Sequence, residues 1–135
     1  MKAKIFALIA CANLIQGCSS TNTQPPLMSS PYILSKQQIE AVKSSVLSSL
    51  KDPDSAKFSS SFNSTRSANK TYVCGYVNAR NSFGGYVGDK PFYTESSDEK
   101  GGFQPAAIGG KMFRSEDIGS SAIFKMCAQA GIGSF

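Results

Sequence analysis

Apolar residues fall along the chain at two different spacings. Ile39, Val42, Val46 and Leu50 recur every three or four positions, with Leu47 at the edge of the same stripe, which predicts an amphipathic helix of about four turns. Ser35-Lys36-Gln37-Gln38 has the form of a capping box ahead of it. Pro53 closes it, because proline disfavours the helical state in the residue before it. From Lys57 to Ile108 the spacing shortens toward two. Residues 56–62 predict a first strand and 71–79, rich in β-branched and aromatic side chains, the strongest one. Residues 86–93 predict a third, joined to the second through turn material at 82–85, so that 71–93 reads as a hairpin. An exposed loop is expected at 98–102 and a short edge strand at 103–108, where Pro105 argues against a central place. Helical spacing returns at Ile118, Ala122 and Met126, with Ile123 and Cys127 beside them. Ser115 is placed to cap that helix, Glu116 and Asp117 suit the positive end of its dipole, and Gly131 ends it. The pattern predicts an α+β fold with an N-terminal amphipathic helix, a small antiparallel sheet of three to four strands, and a C-terminal helix.

Ahead of these elements stand Lys2, Lys4, an apolar run over 5–15, and Leu14-Ile15-Gln16-Gly17-Cys18-Ser19. A basic start and an apolar run too short to span a bilayer have the layout of a secretory signal peptide. Leu-Ile-Gln-Gly-Cys resembles the lipobox of bacterial lipoproteins. The resemblance implies cleavage before Cys18, a diacylglycerol on its sulfur and acylation of the new amine. Ser19, where inner-membrane retention uses aspartate, implies the outer membrane. Leu8-Ile9-Ala10-Cys11 also fits, but a cut there leaves only about six apolar residues ahead of it, short for such a region. It also leaves Cys18 as an unpaired thiol in an oxidising space. The expected organisation is a signal peptide over 1–17, a lipidated N-terminus and flexible tether over 18–34, and a single domain over 35–135. Residues 19–31 are mostly Ser, Thr, Asn, Gln and Pro, and as a flexible coil span roughly 20 Å.

Processing at Cys18 leaves Cys74 and Cys127, of four cysteines in all, to pair with each other. Strand alternation puts Tyr72, Cys74 and Tyr76 on one face, so a Cys74–Cys127 bond ties the second helix to that face. Closing the loop 74–127 is worth about 4 kcal/mol in the chain-entropy model. The two are distant in sequence and form no Cys-x-x-Cys pair, which argues against a redox role. Loss of Lys2 and Lys4 with the leader leaves twelve basic residues against nine acids, a net charge of +3, scattered singly along the chain. That is a solvated surface, and no nucleic-acid partner is expected. The chain has no histidine, which removes Ser-His-Asp and Cys-His catalysis and histidine-bearing zinc sites. Ser35-Lys36 and Ser67-Ala68-Asn69-Lys70 lack a supporting constellation, Asp98-Glu99 reads as a charged loop, and the glycine pairs match no phosphate-binding fingerprint. No enzymatic activity, cofactor or metal is expected.

Leu50-Lys51-Asp52-Pro53-Asp54-Ser55-Ala56-Lys57-Phe58 and, downstream, Cys74-Gly75-Tyr76-Val77-Asn78-Ala79-Arg80-Asn81-Ser82-Phe83-Gly84-Gly85-Tyr86 have the look of a signature. Together they resemble a family of small exported proteins and lipoproteins of bacteria and their prophages with the pattern KDPxSAxF … CGxVNAxNSxGGY. The resemblance covers about residues 45–130 and implies a shared fold without an activity. Two readings of the second segment stand side by side. In one, Asn78, Asn81 and Ser82 bond their own backbone while Gly84, Gly85 and Gly88 permit a tight hairpin. In the other, Arg80, Asn81, Phe83 and Tyr86 form a recognition surface at a loop tip. The function expected is an outer-membrane-anchored envelope lipoprotein that binds a protein partner as an accessory of a membrane or cell-wall assembly. The alternative is an exported blocker, either a hydrolase inhibitor or a prophage exclusion factor.

Overall fold

The longest strand, β4 (Lys70–Asn78), is flanked by neighbours on both edges and covered on both faces. The computed structural model describes residues 28–96, 102–110, 118–133 and 135. Among these the elements run β1 (Ser30–Pro31), α1 (Lys36–Leu47), a 3-10 turn (Pro53–Ser55), β2 (Lys57–Phe58), β3 (Asn63–Ser67), β4, β5 (Lys90–Glu95), β6 (Ala107–Ile108) and α2 (Ile118–Gln129). The strands form one antiparallel sheet in the order β1-β3-β4-β5-β6, with β2 beside β3 on the same edge of β4. The α+β class and antiparallel sheet are as expected, but the described sheet has six strands rather than three to four.

Alternation along β4 builds two cores. Val73 and Val77 point to one face, where they meet Phe92, Val42 and Val46 of α1, and Ala106. Tyr72 and Cys74 point to the other, where they meet Ile123, Cys127, Ala130 and Ile132. The Cys74–Cys127 disulfide is present, with Cα atoms 6.3 Å apart, and fastens α2 to this second face.

Ser35 caps α1 as the sequence predicts. Gln38 N–H donates to Ser35 Oγ at 3.2 Å, and Ser35 N–H donates to Gln38 Oε1 at 2.9 Å. Regular helix ends at Leu47, earlier than the apolar stripe suggests, and Leu50 reaches the core from the following turn. Ser45 is buried among the valines because Thr94 Oγ1, 3.2 Å away, satisfies its hydroxyl. At the far end α2 closes in a Schellman arrangement: Gly131, at φ +78°, donates to Ala128 O, and Ile132 donates to Cys127 O at 2.9 Å. Ile123 and Cys127 are buried as expected and Met126 half-buried, whereas Ala122 faces solvent. The cap expected at Ser115, with Glu116 and Asp117, lies outside the described residues, as does most of the loop expected at 98–102.

Three strand boundaries differ from expectation for local reasons. The strand expected over 56–62 is split: β2 pairs with the end of β4, the chain leaves the sheet, and pairing resumes at Asn63 in β3. Ser59 bridges the gap, its N–H donating to Tyr76 O at 3.0 Å. The excursion carries Phe62 beneath the sheet, edge-on to both Phe58 and Phe92 with ring centroids 5.9 and 5.5 Å apart. Gly75 makes the room, since a Cβ there lies 2.8 Å from Phe62 Cδ1 and 3.0 Å from the Phe92 ring. The third strand begins at Lys90, not at 86; Tyr86 makes only an isolated bridge to Arg80, and Gly88 at φ +85° takes the chain off the extended path. The expected hairpin therefore exists, but its connection runs over 79–89. At the opposite edge, residues 29–34 belong to the domain and not to a tether. Ser30 and Pro31 pair with Arg66 and Thr65, Ser29 Oγ donates to Ala130 O at 2.7 Å, and Ser64 Oγ donates to Tyr32 O.

Two outcomes follow for stability. Replacing both Cys74 and Cys127 by alanine is expected to cost about 4 kcal/mol, read as the shift in urea unfolding at constant pH, and a loss below about 1 kcal/mol contradicts the account. Glu95 accepts from Lys70 Nζ at 2.8 Å and from Tyr93 Oη at 2.9 Å. The Lys70 hydrogen bond, helped by that of Tyr93 and opposed by partial burial, holds the Glu95 carboxyl below its ordinary range. Burial and the bond to Glu95 push the Tyr93 phenol up. A carboxyl depressed on folding adds stability above its unfolded pKa and loses it as pH falls through the folded value. The stability gap between wild type and Glu95→Gln should therefore be small at neutral pH and close on acidification through the carboxylate range. A gap that widens there contradicts this pairing.

Candidate functional site

The two signature segments lie against each other. The link is Ser55, buried in the 3-10 turn that Pro53 opens: its Oγ donates to Asp52 O at 2.8 Å and accepts from Arg80 N–H at 2.9 Å, and its carbonyl accepts from Tyr86 Oη at 3.1 Å. Lys51 Nζ reaches Ser82 Oγ at 3.2 Å. The Tyr86 ring holds two cations, with Lys57 Nζ 4.4 Å and Arg80 Cζ 5.5 Å from its centroid, both within cation–π range. Residues 51–57 thus form the wall on which the 79–89 loop rests.

Asn81 shapes the tip. Its Oδ1 accepts from the N–H groups of Phe83 at 2.9 Å and Gly85 at 3.1 Å, while its backbone N–H donates to Gly85 O and its carbonyl accepts from Gly84 N–H. This is the local asparagine bonding that competes with regular structure and fixes turns. Gly84 stands at φ +80°, a conformation that favours glycine, whereas Gly85 does not have a positive φ. The result is to expose Phe83, whose side chain is 96% accessible.

Of the four residues expected on a recognition surface, the structure brings all into one loop but gives them different work. Asn81 and Tyr86 serve the loop itself, Arg80 is exposed with its guanidinium over the Tyr86 ring, and Phe83 is exposed without such an engagement among the described residues. The expectation missed Lys51 and Lys90, which the fold carries to the same end of the sheet. There a cleft of about 460 Å³ opens between the loop, the end of α1 and the end of β6. Leu50, Val77, Val87 and Ile108 give it apolar walls and Lys51, Arg80 and Lys90 its charge. Lysines scattered singly in sequence give no signal of this gathering. Asn78 Oδ1 is buried without a hydrogen-bond partner, and nothing in the structure explains it.

Among the described residues no group of three or more Cys, Asp or Glu side chains is placed to hold a metal ion, and no helix is long and apolar enough to cross a membrane. Ser35 is committed to its cap and Lys70 to Glu95. Cys18 and the lipobox lie outside the described residues. Fold and site together define an α+β domain carrying a preformed loop with an exposed aromatic tip above a cationic cleft. No protein-family model matches the chain, and neither a curated protein nor a solved structure does.

Substitutions in the loop separate its frame from its tip. Gly84→Val is expected to destabilise by about 1 kcal/mol or more through its backbone conformation, and Asn81→Ala by about 1 kcal/mol through its lost hydrogen bonds. Gly85→Val, with a negative φ and only Asn81 Oδ1 within 4 Å of an added Cβ, should cost less than Gly84→Val. Thermal unfolding of the three variants checks the order, and equal losses at Gly84 and Gly85 contradict it.

Proposed function

We propose that the protein is an envelope lipoprotein, held at the periplasmic face of the outer membrane by lipid on Cys18, that acts by binding a protein partner through the 79–89 loop as an accessory of a membrane or cell-wall assembly. The observation that carries this reading is Phe83. A large apolar side chain, almost wholly accessible, sits at the tip of a loop that Asn81 shapes through its hydrogen bonds. The register of the sheet adds a direction. Ser30 stands level with Arg66 and Thr71, at the opposite end of β4 from the loop, about seven strand residues or roughly 23 Å away. A domain tethered through residues before Ser30 presents its loop away from its anchor. The same protruding tip also suits an exported blocker, with Phe83 filling the cleft of a hydrolase.

Two measurements test this reading. Labelled palmitate should enter the wild type and not Cys18→Ser, and equal labelling rejects the anchor. A photoreactive phenylalanine analogue at position 83 should crosslink one discrete envelope protein in cells, while the same analogue at exposed Lys125 should not. Phe83→Ala should abolish partner capture and shift stability by less than about 0.5 kcal/mol, as surface substitutions do. Crosslinks at 83 no different from those at 125 reject the loop as the contact surface. The identity of a captured protein, assembly component or hydrolase, separates the accessory from the blocker.

A further inference from the structure

The cleft beneath the loop has a chemistry of its own. Lys51, Arg80 and Lys90 line it, and among the described residues no acidic side chain does; Asp52 and Asp89, their neighbours in sequence, are not among its walls. The salt bridges formed among the described residues are Lys43–Glu40 and Lys70–Glu95, so no carboxylate of the described residues lies within 4 Å of the three cations of the cleft. Cations gathered around an apolar surface without counter-charge favour an anionic occupant that also has apolar area to bury.

The backbone narrows the choice of anion. Phosphate sites use convergent backbone N–H groups at nests or helix N-termini. Here the N–H groups of Arg80, Asn81, Phe83, Gly84 and Gly85 already donate within the protein, and that of Gly109, across the cleft, donates to Pro91 O at 2.8 Å. Lys51, Arg80 and Lys90 supply the cleft's charged partners for an anion, and Arg80 offers a planar fork matched to a carboxylate. Leu50, Val77 and Ile108 offer the apolar part.

We propose that this cleft takes the free C-terminal carboxylate of a peptide whose last residues are small and apolar. The carboxylate sits among Lys51, Arg80 and Lys90, the side chains lie on the apolar walls, and Phe83 rests on the more distant part of the partner. This assignment rests on the reading of the protein as a binding module and names what it binds.

The test uses the full chain, purified in detergent and immobilised, with a pool of hexapeptides ending in two small apolar residues, supplied as free acids and as C-terminal amides. Mass spectrometry of retained peptides should show acids enriched at least tenfold over amides. The enrichment should vanish in the Lys51→Glu/Lys90→Glu variant at an unchanged melting temperature. Equal retention of acid and amide, retention of neither, or retention of phosphatidylglycerol vesicles in place of peptides overturns the proposal, and each is read on the wild type alone. A Phe83 crosslink that persists unweakened in the charge-reversed variant removes the cleft from recognition while leaving the loop as the contact surface.

Discussion

Burial of β4 on both faces is the constraint from which the rest of the structure follows. An antiparallel strand commonly keeps one face in water, but Val73 and Val77 on one side and Tyr72 and Cys74 on the other are all buried. Each face needs its own cover, and the chain supplies one helix to each. α1 brings Val42 and Val46, and α2 brings Ile123 and Cys127. The two covers are held differently. α1 is held by apolar packing and the buried Ser45–Thr94 contact, α2 by a covalent bond as well as packing. A domain this small has little core to spare, and a bond that restricts its unfolded chain compensates for that.

The same strand sets the position of the loop. β4 and β5 are in register from Tyr72–Glu95 to Val77–Lys90, so the residues between them emerge at one end of the sheet, beside the end of α1. That end would be a frayed connection without the wall of residues 51–57. Ser55 makes four hydrogen bonds there, two of them with the loop, and the Tyr86 ring lies within cation–π range of both Lys57 and Arg80. The pattern residues of the two segments are therefore parts of one structure. Pro53 opens the turn, Ser55 joins it to the loop, Phe58 packs on the core, Gly75 admits Phe62, and Asn81 and Gly84 shape the tip.

Much of this was legible in the sequence where a residue's role is local. The capping box at Ser35, the β4–β5 hairpin, the shared face of Tyr72 and Cys74 and the stop at Gly131 are each written in a few neighbouring residues, and the bond to Cys127 follows from the cysteine count. What was not legible depends on partners far along the chain. β3 gives no strand signal because Thr65 is its only buried residue, and Thr65 is satisfied by Ala130 O, distant in sequence. Ala68 takes φ +50° in the two-residue turn that follows, a conformation alanine rarely adopts and its sequence does not announce. Ser29 and Pro31 look like tether until an edge and a carbonyl are available to hold them. The cationic cleft is the extreme case, since Lys51, Arg80 and Lys90 meet only once three elements have packed.

β4 is the common member of both cores, and hydrogen exchange of the native, oxidised protein measures that directly. The amides of Val73, Cys74, Gly75 and Val77 should exchange slowest in the molecule, at rates set by global unfolding, with the edges β1 and β6 opening well before them. If these amides instead exchange as fast as those of the edge strands, the two cores do not share a protected strand, and the loop that β4 is said to position has no fixed base.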